Sequence, residues 1–266
     1  MTRLLLISSW VARDRVGLSA MWPALAVAGH DVLSIPTVVL SNHPGHAHVS
    51  GRTTPIAELE ALCEAHRANG WHQNVAVAVT GYLPTADHVR FAAETIEDLR
   101  SHAARVLYVC DPVLGDSPKG LYVPESAARA IRDELVPLAD VVTPNAFELS
   151  WLARQSIASA DDARGAALSL GRPAVVVTSA PCEPETVGSL LVTPDGEHSR
   201  VAPRLDGVPH GTGDLFSGVL AGALASGHSV RRAFEHAADA VDAAVRASVG
   251  SDILHIPRTT SETPSD

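Results

Sequence analysis

Two rhythms alternate along the chain. Short apolar runs, one of them interrupted by Ser34, fall at 4–7, 32–35, 75–79, 106–109, 141–142 and 174–177. Between them, apolar residues recur at every third or fourth position. The first rhythm predicts buried strands and the second amphipathic helices. Helices are expected over 17–28, 55–68, 85–102, 124–135, 146–154, 159–170, 215–226 and 230–248. Their ends carry matching chemistry. Pro55 opens one helix and Gly70 follows it, Thr85 and Ser159 stand as N-caps, and Gly29 and Gly171 lie just past C-termini. Runs at 190–192 and 199–201 around Pro194-Asp195-Gly196 predict a hairpin. The stretch 41–52 is polar, rich in His, Pro and Gly, and reads as a loop.

Strands alternating with helices imply an α/β fold, with a mostly parallel sheet covered on both faces. No internal repeat or linker interrupts the pattern. Residues 1–257 are therefore expected as one domain, and 258–266 as a polar, disordered tail. In such sheets ligands bind beyond the carboxyl ends of the strands. Ser8 and Ser9 follow the first run, Gly81-Tyr82 the third, Asp111 the fourth, Thr143 and Asn145 the fifth, and Thr178-Ser179 the sixth. Parallel strands would crowd these polar groups onto one edge.

Composition narrows the function classes. Of 266 residues, 46% are hydrophobic and 19% charged, as in an ordinary soluble globular protein. The net charge of -10, with pI near 5.7, argues against nucleic acid or an anionic membrane as the main partner. It permits ATP, because backbone amides and a metal can supply local positive charge. Cys63, Cys110 and Cys182 form no CxxC pair, so neither a disulfide framework nor a zinc ribbon is indicated, and a reduced, cytoplasmic setting is expected. The first apolar run is too short for a secretory leader.

The stretch Gly211-Thr212-Gly213-Asp214 precedes a helix pattern. Glycines at a helix start leave backbone N–H groups bare at the positive end of the dipole, which suits phosphate. The carboxylate of Asp214 fits a hydroxyl that must lose its proton beside a phosphoryl group in transit. Four residues alone read equally well as a turn with an aspartate cap. Asp111-Pro112-Val113-Leu114-Gly115-Asp116 and Thr143-Pro144-Asn145-Ala146-Phe147-Glu148 add hard oxygen donors suited to Mg²⁺, or alternatively turn and helix caps. His43, His46 and His48 lie close in sequence, yet without spaced partners they read as polar loop rather than metal site.

These motifs carry a resemblance. Ser41-Asn42-His43 after Thr37, Gly81-Tyr82, DPVLGD at 111–116, Tyr122-Val123-Pro124, TPNAFE at 143–148, VVVTS ending at Ser179 and GTGDLFSG at 211–218 occur in one order over nearly the whole chain. The chain resembles the pyridoxal kinases of the ribokinase superfamily. The resemblance implies a ribokinase-like three-layer α/β/α sandwich, usually a homodimer, that uses ATP and Mg²⁺ to phosphorylate the 5′-hydroxymethyl of a B6 vitamer. It implies Asp214 as base, Gly211, Thr212 and Gly213 as anion hole, and Asp116, Asn145 and Glu148 as the Mg²⁺ group, largely through water. Asp111, Thr143, Thr178 and Ser179 would serve ATP, and Ser9, Tyr82 and Asp214 would meet the vitamer.

The acceptor side departs from the family pattern. Leu18 stands where Asn is common, Leu40 for Phe, Pro44 for Thr, Val49 for Trp, and His210 for a hydrophobic residue. These changes remove polar or aromatic groups that would contact a pyridine ring, so weakened pyridoxal binding is expected. Two further readings stand beside the main one: a kinase for another heterocycle such as hydroxymethylpyrimidine, and a fold-retaining binding or regulatory protein. Asp214 with Gly211 and Gly213 speaks against the latter.

Overall fold

The computed structural model describes residues 2–102 and 105–256. Its centre is a nine-stranded sheet in the order β11-β10-β9-β8-β5-β4-β1-β2-β3. The strands are β1 (Arg3–Val11), β2 (Asp31–Leu40), β3 (Gly51–Thr53), β4 (Val75–Thr80), β5 (Leu107–Cys110), β8 (Val141–Val142), β9 (Ala174–Ala180), β10 (Thr186–Thr193) and β11 (Gly196–Pro203). The run from β2 through β1, β4, β5 and β8 to β9 pairs in parallel throughout. Antiparallel partners finish both edges: β3 beside β2, and β10 with β11 beyond β9. A small hairpin, β6 (Gly115–Asp116) with β7 (Gly120–Leu121), stands apart.

The helices are α1 (Leu18–Val27), α2 (Ile56–Ala68), α3 (Ala86–His102), α4 (Glu125–Ala130), α5 (Ala146–Ala153), α6 (Ala160–Ser169), α7 (Thr212–Ala225) and α8 (Val230–Ser248). Side-chain alternation along the strands sorts them into two layers. Leu5 and Ile7 of β1 face a core built with α2, α3 and α4, which includes Leu59, Phe91 and Ala127. Leu4 and Leu6 face the other core, with Met21 of α1, Phe216 and Leu220 of α7, and Phe234 of α8. Helices α5 and α6 pack over β9 and β10 through Leu149, Ala163 and Val177. The three-layer α/β/α sandwich is thus present.

Several bounds differ from the pattern's prediction. β1 continues past the apolar run through Ser8, Ser9 and Trp10, with a register shift against β2 between Ser8 and Trp10. β2 likewise runs on to Leu40, and β9 includes Thr178 and Ser179. The loop 41–52 ends in the short strand β3. The helix expected over 124–135 is α-helical only to Ala130 and continues as a π turn to Leu135. α7 begins three residues early, at Thr212. The tail expected at 258–266 lies outside the described residues. Among the described residues no helix is long and apolar enough to cross a membrane.

β1 feeds α1 and β2 on one side of the sheet, whereas β4 feeds α3 and β5 on the other. Connections therefore part between β1 and β4, and the crevice that such a switch point leaves beyond the carboxyl ends is where sheets of this kind hold ligands.

Candidate active site

The crevice floor is pinned by strand residues. Ser8 is fully buried, and its hydroxyl accepts the Tyr82 N–H at 3.1 Å. Thr37, also fully buried on β2, donates to the Tyr82 carbonyl at 2.7 Å. Tyr82 is thus held from both sides of its backbone, and its half-buried ring packs against the core of α2, α3 and α4. Ser9 is nearly buried and lies under Gly17, where a Cβ would fall 2.2 Å from the Ser9 hydroxyl. The Gly17 backbone N–H lies near enough to the Asp214 carboxylate to favour its ionised form.

Asp214 sits in the first turn of α7, with Gly211 as N-cap. Gly211 has φ 107, and a Cβ there would lie 1.7 Å from the Arg15 carbonyl, so only glycine fits. Leu215 N–H bonds to the Gly211 carbonyl. The amides of Thr212, Gly213 and Asp214 come before it, in the turn where helical N–H groups have no intrahelical acceptor. The candidate phosphate donors therefore include the helix's own first turn. Burial pushes the Asp214 carboxyl up to about 6, against the Gly17 and own-backbone N–H groups that favour its ionised form.

Two more carboxylates stand behind it. Asp111 is 7% exposed, and burial, then Asp214 and Glu148, raise it well above the carboxylate range. It accepts the Ser217 hydroxyl at 2.8 Å and the Val113 N–H. Val113 has φ 42, a strained value for a β-branched residue that costs ~1–3 kcal/mol. The same hydroxyl of Ser217 pairs with that of Thr143 at 2.9 Å. Thr143 and Asp111 thus lie beneath the site surface, tying α7 to the ends of β8 and β5. Ser217 was not singled out by the sequence. Its signal is a serine on the buried face of a helix, three residues after Asp214.

Glu148 is 4% exposed and acts as a buckle. One oxygen accepts the Leu114 N–H at 2.8 Å and the Gly115 N–H at 3.4 Å; the other accepts the Asn145 N–H at 2.8 Å. The Asn145 side chain accepts the Glu148 N–H at 2.9 Å, completing a capping box, and donates to the Gly115 carbonyl at 2.8 Å. Burial pushes Glu148 up to about 7 despite these donors. Both side chains are committed to the 111–116 loop. Asp116 differs: its Oδ1 is buried without a partner. An orphaned carboxylate oxygen beside three crowded acids fits a divalent cation. Among the described residues no three His, Cys, Asp or Glu side chains meet at metal-binding spacing, so such an ion would depend on Asp116, water and substrate oxygens. Thr178 is half-buried and Ser179 exposed at the end of β9, on the same edge.

The departing residues fall in three environments. Leu18 is fully buried and joins the α1–α7 core, so its side chain packs rather than binds. Leu40 ends β2, Pro44 is exposed in the following loop, and Val49 is 47% exposed. His210 stacks on His43 at 4.0 Å between ring centroids.

The model of the phosphomethylpyrimidine kinase family matches residues 30–258. The pyridoxine/pyridoxal/pyridoxamine kinase of Bordetella avium is 38% identical over 235 residues, covering 86% of this chain and 79% of that protein. Human pyridoxal kinase is 34% identical over 82% of this chain and 76% of its own length. Among solved structures, pyridoxal kinase from Leishmania donovani in complex with ADP and pyridoxine superposes with a TM-score of 0.87 at 32% identity, over 94% of this chain and 88% of that one. Pyridoxal kinase from Entamoeba histolytica gives 0.89 at 25% identity, over 96% and 93%. With a matching family model, relatives at this identity and the same fold, the chain belongs to the phosphomethylpyrimidine kinase family, on its pyridoxal kinase side.

Proposed function

We propose that this chain transfers the γ-phosphoryl group of ATP to the 5′-hydroxymethyl of pyridoxal or a related B6 vitamer. The observation that carries the reading is Asp214, a carboxylate in the first turn of α7 beside Gly211, Thr212 and Gly213, at the switch point between β1 and β4. The hydroxyl proton passes to Asp214, the freed oxygen forms a bond to phosphorus, and the bond to the ADP oxygen breaks. With its carboxyl at about 6, Asp214 is mostly ionised at neutral pH yet close enough to it to accept a proton readily. The amides of Gly211, Thr212 and Gly213 hold the transferred oxygens. Thr178 and Ser179 serve the nucleotide, while Tyr82 and Ser9 line the acceptor side. Asp111 and Thr143 support that arrangement from below.

Mg²⁺ belongs to this reading, held at Asp116 and through water, with Asn145 and Glu148 fixing the loop around it. When bound, it neutralises phosphate charge during transfer. We also infer a homodimer working in the cytoplasm, since three unpaired cysteines suit a reducing compartment. The test is ADP release with pyridoxal, pyridoxine, pyridoxamine and hydroxymethylpyrimidine. Turnover with a vitamer above the pyrimidine is expected; turnover with the pyrimidine alone overturns the acceptor assignment.

A further inference from the structure

Asp14 is an acidic residue in a turn, yet it is only 5% exposed. One of its oxygens accepts the His43 N–H and the other meets His46 Nε2 at 3.2 Å. Arg13 Nη1 lies 3.6 Å from it and also pairs with Asp252. Burial raises the Asp14 carboxyl, but the His43 N–H and the His46 ring outweigh it and hold the group below its usual range. A buried charge this well supplied with donors fixes whatever it binds. What it binds is the 41–50 loop, at two points.

The loop is braced internally as well. Asn42 Nδ2 donates to the His48 carbonyl at 2.9 Å, and Ser41 with Ser50 closes its neck at 2.8 Å. The Gly45 N–H donates to His43 Nδ1 at 3.1 Å, which leaves the proton of the neutral ring on Nε2. His43 then lies against His210, with ring planes 24° apart. His210 directly precedes Gly211 and thus the first turn of α7. The two rings join the 41–50 loop to the segment that carries the phosphate-binding amides. Nearly parallel rings direct their nitrogen lone pairs side by side, not toward one point, so the pair is a wall rather than a metal site. Behind it is a cavity of about 140 Å³, lined by Asp14, His46, Pro209 and Asp252 among others. Burial lowers the pKa of both rings. His210 and Lys119 lower it further for His43 and His210 respectively, while Asp14 opposes this at both rings and Asp116 at His210.

We propose that Asp14 is a positioning residue of the acceptor site: it latches the 41–50 loop so that His43 and His210 close the site's outer wall over the acceptor ring. The proposal rests on the assignment of the Asp214 crevice to the acceptor. It gives the departing residue at 210 a role, because a flat imidazole replaces the usual aliphatic or aromatic side chain there and acts through a partner on another loop.

The test separates latch from activity. Hydrogen exchange of the His43 amide, in the free enzyme, reads the latch without substrate. Asp14→Ala should speed that exchange by about tenfold or more, the change expected when one charge-assisted hydrogen bond is lost. Asp14→Asn keeps one acceptor oxygen and should fall between. In turnover with pyridoxal, D14A should raise the acceptor KM about tenfold, while the ATP KM moves by less than about twofold. His210→Val should raise the acceptor KM, and His210→Phe, which keeps a flat ring, should recover most of the loss. Unchanged exchange of the His43 amide in D14A overturns the latch. Equal rises in both KM values, or H210V binding pyridoxal as wild type does, overturn the wall. If wild type phosphorylates no vitamer, the function reading fails, and the exchange result still decides the latch.

Discussion

Replacing Ser217 by alanine removes a single oxygen from the most enclosed part of the site. Ser217 is 0% exposed, donates to Asp111 at 2.8 Å and pairs with Thr143 at 2.9 Å. A hydrogen bond between uncharged groups contributes ~0.5–1.5 kcal/mol, and a buried hydroxyl left without a partner costs ~1–3 kcal/mol. These overlap, since Thr143 can turn toward Asp111, so a net loss of roughly 1–3 kcal/mol is expected. For a chain of this size each kcal/mol lowers Tm by roughly 2–4 °C, which puts the fall at roughly 2–12 °C. Thermal melting of wild type and S217A at one pH and salt reads it directly. The Thr143→Val single variant and the double variant complete a cycle, and the double should lose less than the sum of the singles. A fall under about 2 °C in S217A would refute the view that this hydroxyl ties α7 to the strand ends. Turnover should fall as well, because Asp214 lies one helical turn upstream of the lost bond.

Asp214→Asn should lose ~10²–10⁴ in kcat while still binding ATP, as isothermal calorimetry with the nucleotide would show. A chelator should abolish turnover and Mg²⁺ restore it. Asp116→Ala should raise the Mg²⁺ concentration needed for half-maximal rate, and an unchanged titration would contradict the role of its unpaired oxygen. His72 is 3% exposed, its ring nitrogens make no hydrogen bond although Asp98 lies 3.8 Å from Nδ1, and burial, then His66, lower its pKa below that of the unfolded chain against the pull of Asp98. Its contribution is therefore whole above the unfolded value of ~6.5 and is lost as pH falls below it. His72→Phe should show a smaller drop in urea midpoint than wild type between pH 7.5 and 5. In size-exclusion chromatography the protein should elute near twice 27.8 kDa, and a monomer at all concentrations would exclude the dimer.

Periodicity was enough to locate nearly every strand and helix, because each is either wholly apolar or strongly one-sided. It failed where polar residues are buried with partners. Ser8 and Thr37 belong to strands, although their hydroxyls make them look like loop, because the Tyr82 backbone satisfies both. The start of α7 was misjudged for a related reason: Gly and Thr are weak helix formers, and the turn is held instead by close packing of Gly211 on Arg15. Spacing picked out Asp111, Asn145, Glu148 and Asp214 as chemistry-bearing. It did not tell surface groups from supporting ones, since only contacts reveal that Glu148 holds three amides. Leu18 illustrates the converse, as a missing polar group proved to be core. Asp14 gave no signal, because its partners lie about thirty residues away.

The place of β1 has a consequence for biosynthesis. Of this sheet's strands the earliest made, β1, is an interior one, and its Leu4–Leu6 segment must pair with Val77–Val79 of β4, made roughly seventy residues later. At ~5–20 residues per second, this apolar segment waits several seconds with one edge unpaired. Nascent chains should therefore recruit holdases early and depend on them more than a fold whose first strand lies at the sheet margin. A bulky fusion placed directly before Arg3 would crowd the middle of the sheet's amino edge, while the polar strand β11, at the far side, offers a quieter place for an inserted segment.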